Sequence, residues 1–201
     1  LATLTVIVII GCVKDIPYTD QPIPISFDAG LSSVNTRAPI ANLTSGLTGI
    51  QILRAADIAT SPDWSVVSSV ATTANIAAGG SVGSLSVAQY YNANPALNAW
   101  FMAFYPSGTM GTGKVSWTIT GQEDIIVAPS VSAGNKTIPV NPTTLAFAHK
   151  LTQLQFEVLA ASATAITQWG TVSSIKVNAD TALELTLSTN ALASASSPVN
   201  T

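Results

Sequence analysis

Two stretches of the 201-residue chain have the residue spacing of catalytic loops. Gly108-Thr109-Met110-Gly111-Thr112-Gly113-Lys114 satisfies the first seven positions of a phosphate-binding loop, whose backbone amides and lysine cradle phosphate oxygens. The eighth position, where a Ser or Thr hydroxyl would hold magnesium, is Val115. Gly79-Gly80-Ser81-Val82-Gly83 matches G-x-S-x-G, and Asp124 and His149 follow in the order of a hydrolase triad. Both chemistries need a helix directly behind the loop, and neither loop has one. Val115, Trp117 and Ile119 alternate with polar residues as a strand does, while Gly79 to Gly83 lies between the small-residue stretch 72–78 and the short run 84–87. A nucleotide site is therefore not expected, a Ser81 hydrolase is a distant reading, and Ser81 reads as part of a flexible loop.

The remaining chemistry-bearing residues are few. One His and one Cys cannot assemble a four-ligand zinc cluster, so no metal site, cofactor or catalytic residue is expected. A net charge of -3 without a Lys/Arg run leaves nothing to neutralise a phosphate backbone, which excludes nucleic acid as a partner. His149 reads as a hydrogen-bonded sheet-edge residue and Glu123-Asp124 as a solvated turn. Trp64, Trp100, Trp117 and Trp169 read as core residues.

The elements that must position these residues are strands. Trp117 and Val115, then Leu154, Phe156 and Val158, then Leu183, Leu185 and Leu187 occupy alternate positions. Further strands are expected over 23–27, 49–55, 64–67, 84–87, 125–128 and 173–177, with the doubly apolar 100–105 lying centrally. Residues 100–105 and 115–120 should form a hairpin with a long loop, and one short helix is expected over 86–92. Many short strands between Gly, Pro, Asn and Ser clusters predict an all-β antiparallel sandwich with at most one short helix. Its core should hold Trp117, Leu154, Phe156, Leu183 and Leu185. Charged residues make up only 8% of the chain, against about 25% in ordinary domains. Neutral polar surfaces of that kind are common on exported proteins.

The amino terminus supports export. Leu1 to Ile10 is aliphatic apart from two Thr and is closed by Gly11 and Cys12, which has the length of a signal-peptide apolar region but not of a membrane span. Residues 1–11 are read as a partial lipoprotein signal peptide, Cys12 as the acylated residue, and the proline-rich 12–22 as a tether. Only two arginines exist, Arg37 and Arg54. Arg54 ends the apolar run Ile50 to Leu53, whereas Arg37 sits between strand candidates in Asn35-Thr36-Arg37-Ala38-Pro39.

Read in order, the signal segment ending in Cys12, Ile25 to Phe27, Thr36 to Pro39, Ala103 to Pro106, Asp124 to Ala128, and Phe147 to Phe156 resemble the fimbrillin-like lipoproteins of Bacteroidales, subunits of type V pili. The resemblance covers 23–187 and implies a transthyretin-like sandwich there, followed by a Ser/Ala-rich stretch, 188–201, that is a tail or the start of a missing second domain. It implies a pilus structural or accessory subunit, lipid-anchored at the outer membrane or cell surface, that meets other pilin subunits by strand exchange. Arg37 would be the protease-processing site that frees the first strand. Asp180-Thr181-Ala182 resembles an O-glycosylation acceptor, with Thr181 carrying the sugar. The alternative is a stand-alone surface adhesin for host or bacterial glycan or protein ligands, which a tryptophan cluster at the loop tips would mark.

Overall fold

The computed structural model describes residues 21–32, 40, 43, 45–152, 154, 156–170 and 172–195. Its strands are β1 (Phe27–Leu31), β2 (Leu47–Arg54), β3 (Thr72–Ile76), β4 (Ala99–Tyr105), β5 (Thr109–Gly111), β6 (Lys114–Thr118), β7 (Ile126–Gly134), β8 (Thr143–His149), β9 (Ala182–Thr186) and β10 (Ala191–Ser194). The helix α1 spans Ala163–Trp169. The expected all-β sandwich is present as a six-stranded sheet, β1-β8-β7-β4-β2-β3, packed on a four-stranded sheet, β10-β9-β6-β5.

β4 is apolar at every position because it is buried on both faces. Phe101 and Ala103 point into one core with Ile50, Ile52, Ile126, Leu145 and Phe147. Met102 and Phe104 point into a second core, where they meet Val115, Trp117, Leu183 and Leu185 of the smaller sheet. Phe104 and Trp117 cross edge to face at 5.6 Å. β7 changes face partway along. Phe101 pairs with Val131 and Ala103 with Ala128, so one extra β7 residue is accommodated around Pro129 and Ser130, both exposed. A proline lacks the ladder N–H, and a bulge is where a strand tolerates that loss.

The first core is enclosed because the larger sheet closes on itself. Ile76 of β3 bridges Val82, and Ser81 bridges Asp28 of β1, so the segment around Gly80 links the two outermost strands. The bonds Ala29 N–H to Gly80 O (2.8 Å), Ala77 N–H to Ser81 O (2.8 Å) and Gly83 N–H to Asn75 O (2.8 Å) make that seam. The stretch read as a flexible loop at Ser81 is therefore the piece that closes a ring.

Several local expectations are corrected. Among the described residues, 154 and 156–158 belong to no strand; Leu154, Phe156 and Val158 are 63%, 54% and 58% exposed, so Leu154 and Phe156 lie outside the core. Ser173 to Val177 likewise forms no strand and is exposed, and Ser84 to Val87 forms no strand. Trp64–Val66 is a 3-10 turn started by Asp63, whose Oδ1 accepts from Ser65 N–H at 2.9 Å. The expected helix at 86–92 is absent because its backbone is used by extended neighbours: Ser86 N–H donates to Thr73 O, and Gln89 O accepts from Ile25 N–H. β4 and β6 belong to different sheets, and β6 pairs in a hairpin with β5 instead. The sandwich is not wholly antiparallel either, since β1 runs parallel to β8.

Candidate functional site

β1 is a strand inserted at a seam. Its register runs from Phe27 opposite Thr143 to Leu31 opposite Phe147, and its other edge meets Gly80 and Ser81. Thr143 N–H donates to Ser26 O (2.9 Å), and Ser32 N–H donates to Phe147 O (2.9 Å). Alternation sends the Phe27 side chain inward, where its ring meets Phe101 edge to face at 4.9 Å, and leaves Asp28 at the surface. The strand is short, yet its anchor residue is fully enclosed.

The residues leading into β1 are held separately. Pro24 bridges Tyr90, and Tyr91 N–H donates to Ile23 O at 3.1 Å. Asn141 clasps the turn before the strand, accepting from Ser26 N–H (2.9 Å) and the Ser26 hydroxyl while its Nδ2 donates to Pro24 O at 3.2 Å. Behind this segment Arg54 forks onto Asp57, with Nη2 2.9 Å from Oδ2 and Nε 3.2 Å from Oδ1. The same guanidinium donates to Gln89 Oε1 and Tyr90 O and lies 5.4 Å from the Phe101 ring centre. Arg54 thereby fixes the 89–91 strip on which the amino-terminal segment rests. Neither Asn141 nor Arg54 stands out in the sequence as a positioning residue, because each acts through backbone groups that no motif encodes.

The other sequence candidates fall elsewhere. Cys12 and Arg37 lie outside the described residues. Thr181 is exposed, with its carbonyl accepting from Ile119 N–H at 2.8 Å, so its hydroxyl stands at the surface just before β9. Asp124 and His149 do meet, Oδ2 to Nδ1 at 2.8 Å, with both side chains buried. Asp124 is therefore not in a solvated turn, whereas His149 is hydrogen-bonded as expected, with its side chain enclosed. Ser81 is not with them. Asp28 bridges Ser81 and pairs with Thr144, and His149 lies five residues further along β8, about 16 Å at strand spacing. No triad is assembled.

The phosphate-loop spacing also has a packing explanation. A Cβ on Gly108 would lie 2.8 Å from the Trp117 indole, and Gly113 takes φ +70° in the β5–β6 turn against the Ser65 carbonyl. Trp64 and Trp117 are buried, and Trp100 packs on the second core with its Nε1 donating to Ile58 O at 2.9 Å. The described indoles thus make no exposed cluster.

Glu123 organises the turn before β7. Its carboxylate accepts from the Thr120 hydroxyl and from the amides of Thr120, Gly121 and Gln122. These bonds, led by the Thr120 hydroxyl, hold its pKa down at about 2 from the ordinary 4.5. A depressed carboxylate stabilises the fold above its unfolded pKa, and that contribution disappears as pH falls from about 4.5 through 2. An NMR titration should find the Glu123 carboxyl titrating near 2. A midpoint at the ordinary value would mean that these bonds do not persist in solution.

Taken together, the molecule is an all-β two-sheet protein whose first strand is seated between β8 and a seam segment. The comparison with known families matches residues 36–200 to the fimbrillin-like family. The chain belongs to that family. No curated protein and no solved structure matches it.

Proposed function

We propose that the chain is a structural or accessory pilus subunit displayed at the cell surface and assembled by strand exchange. The observation that carries this reading, within a fimbrillin-like chain, is the seating of β1: a five-residue strand with a buried Phe27, lying six residues before Arg37. Cleavage after Arg37 would leave β1 held without a covalent link to the rest of the body, by its parallel pairing with β8, the Gly80 seam and the Phe27 contact, together with the bonds that tie Ile23 to Ser26 onto Gln89, Tyr91 and Asn141. Its departure would open the β8 edge and the space over Phe101. A strand from another subunit would refill both, with main-chain bonds supplying affinity and a large apolar residue in the Phe27 position setting register.

An Arg-specific protease acting on the folded protein tests this. The new amino terminus should be Ala38, because Arg54 is tied to Asp57, Gln89 and Tyr90. The cleaved product should form higher-order species with uncleaved chain, and Arg37→Ala should block both events. Cleavage elsewhere, or a product that stays monomeric beside a full-length partner, would defeat the scheme.

Residues 1–11 then serve as the lipoprotein signal, Cys12 as the lipid acceptor, and 12–22 as the tether lifting residues 23–187 off the outer membrane. Several acyl chains on one cysteine would hold a protein stably where a single chain would not. Thr181, exposed and preceded by Asp180, is the proposed glycan acceptor. Peptide mass mapping of the native protein reads both modifications: acyl mass on the Cys12 peptide and hexose on the Thr181 peptide. Absence of either mass removes that assignment.

A further inference from the structure

The corner before β8 carries a side chain that acts as a ladder rung. In a parallel pair, a residue's N–H donates to a carbonyl of the neighbouring strand, and its C=O accepts from the N–H two positions further along. Phe27 and Thr143 are parallel partners, with Thr143 N–H donating to Ser26 O at 2.9 Å. Two residues earlier the Asn141 side-chain amide repeats the pattern: Nδ2 donates to Pro24 O at 3.2 Å, and Oδ1 accepts from Ser26 N–H at 2.9 Å. A flipped amide would set Nδ2 against the Ser26 N–H, donor against donor, so these bonds fix its orientation. An antiparallel strand pairs through the N–H and C=O of one residue, so this amide matches a strand that runs with β8.

The same rung reads a side chain. Asn141 Oδ1 has a second lone pair, and it accepts from the Ser26 hydroxyl. Ser26 lies between Ile25 and Phe27, both buried in the first core, and is itself exposed. The corner that presents Asn141 is braced by bonds that β1 does not make. Val140 N–H donates to Ala133 O at 2.8 Å, and Val140 O accepts from the Tyr91 hydroxyl at 3.3 Å and the Thr143 hydroxyl at 2.6 Å.

We infer that Asn141 selects the strand that occupies the β1 position, admitting a segment parallel to β8 with Ser or Thr between a buried aliphatic and a buried aromatic residue. The partner class is an extended chain with aliphatic, hydroxyl and aromatic side chains in that order, its amino-terminal end at Asn141. An apolar side chain at position 26 would leave Oδ1 with one donor instead of two and would gain no burial in return, since the position is exposed. That another subunit supplies such a strand rests on the strand-exchange reading. The selection itself acts on the chain's own β1 and is tested there without cleavage.

Thr and Val differ by a hydroxyl in place of a methyl, so the two substitutions isolate the hydroxyl at position 26. In the Arg37→Ala chain, Ser26→Val should lower hydrogen-exchange protection at the Thr143 amide, which bonds Ser26 O, by about threefold or more relative to Ser26→Thr, the loss of one hydrogen bond. Asn141→Ala should abolish that difference. Asn141→Asp accepts at the same place but cannot donate to Pro24 O, and should keep it. Equal protection in Ser26→Thr and Ser26→Val, a difference that survives Asn141→Ala, or one lost in Asn141→Asp would overturn the inference. A second arm offers fluorescent 21–32 peptides to the protease-treated parent chain. The Ser26→Thr peptide should bind about threefold or more tighter than the Ser26→Val peptide, and the same residues in reverse order should not compete. Competition by the reversed peptide would overturn selection of direction. Refusal of every peptide beside an intact difference between Ser26→Thr and Ser26→Val would instead overturn strand exchange and leave the role of Asn141 standing.

Discussion

Truncating Phe27 to alanine is expected to destabilise the full chain by about 3 to 5 kcal/mol, while the same truncation at Phe156 should change stability by less than about 0.5 kcal/mol. Phe27 is 3% exposed and contacts Phe101 edge to face, so its removal leaves a cavity bounded by strands of the closed ring. That ring cannot collapse easily, because β8 on one side and the Gly80 seam on the other are each fixed by backbone bonds. Phe156 is 54% exposed and leaves no enclosed space behind it. Urea unfolding of the two variants beside the parent reads the difference as a shift in midpoint at constant slope. Equal losses at both positions would place Phe156 in the core after all. If strand exchange operates, Phe27→Ala should also release β1 faster after cleavage at Arg37, because the buried ring is its principal anchor.

The contrast between these two phenylalanines shows what the sequence can and cannot say. Alternation at Leu154, Phe156 and Val158 is as regular as at Val115 and Trp117 or Leu183 and Leu185, and it marks residue types that suit a half-buried pleated surface. It does not say whether that surface lies within the same chain. β6 and β9 pair with each other and cover the second core, whereas Leu154, Phe156 and Val158 belong to neither sheet. β4 was legible as central because both of its faces are apolar. β8 was harder to see: Ala146 and Ala148 stand between Leu145, Phe147 and His149, so an alanine on the outward face blurs the period that betrays a strand. The β4–β6 hairpin was misread for a different reason. The three-residue β5 is too short to register as an element, yet it carries the chain from one sheet to the other.

The candidate site was less legible than the fold. Its chemistry is almost wholly main chain, and the residues that shape it were masked by other patterns. Gly80 lies inside what resembles a nucleophile elbow, and the serine beside it attracts attention that belongs to the glycine. Asp124 and His149 show the converse, since a pair whose chain order matches a hydrolase triad is brought together at a distance from Ser81.

Gly80→Ala is accordingly expected to damage both the fold and the hold on β1. Gly80 takes φ +99°, a conformation that costs a residue bearing a Cβ roughly 1 to 3 kcal/mol. A Cβ there would overlap the Ala29 carbonyl oxygen of β1, far inside van der Waals contact, and a strand backbone cannot swing aside as a long side chain can. The seam and β1 must therefore separate, which weakens the Ala29 N–H to Gly80 O bond and loosens the ring where β3 approaches β1. Gly79→Ala provides the comparison: its φ is similarly positive, at +93°, but nothing lies within 4 Å of its added Cβ, so it carries the strain without the collision. Gly80→Ala should consequently lose more stability than Gly79→Ala. Hydrogen exchange should show the excess as faster exchange at Ala29, whose amide bonds the seam, while the β6–β9 ladder keeps its protection. Equal losses in the two variants, or unchanged exchange at Ala29 in Gly80→Ala, would mean that the seam does not hold β1. Were the reading correct, the Gly80→Ala protein should also surrender β1 more readily once the chain is cut at Arg37, which ties a single backbone contact to the rate of subunit exchange.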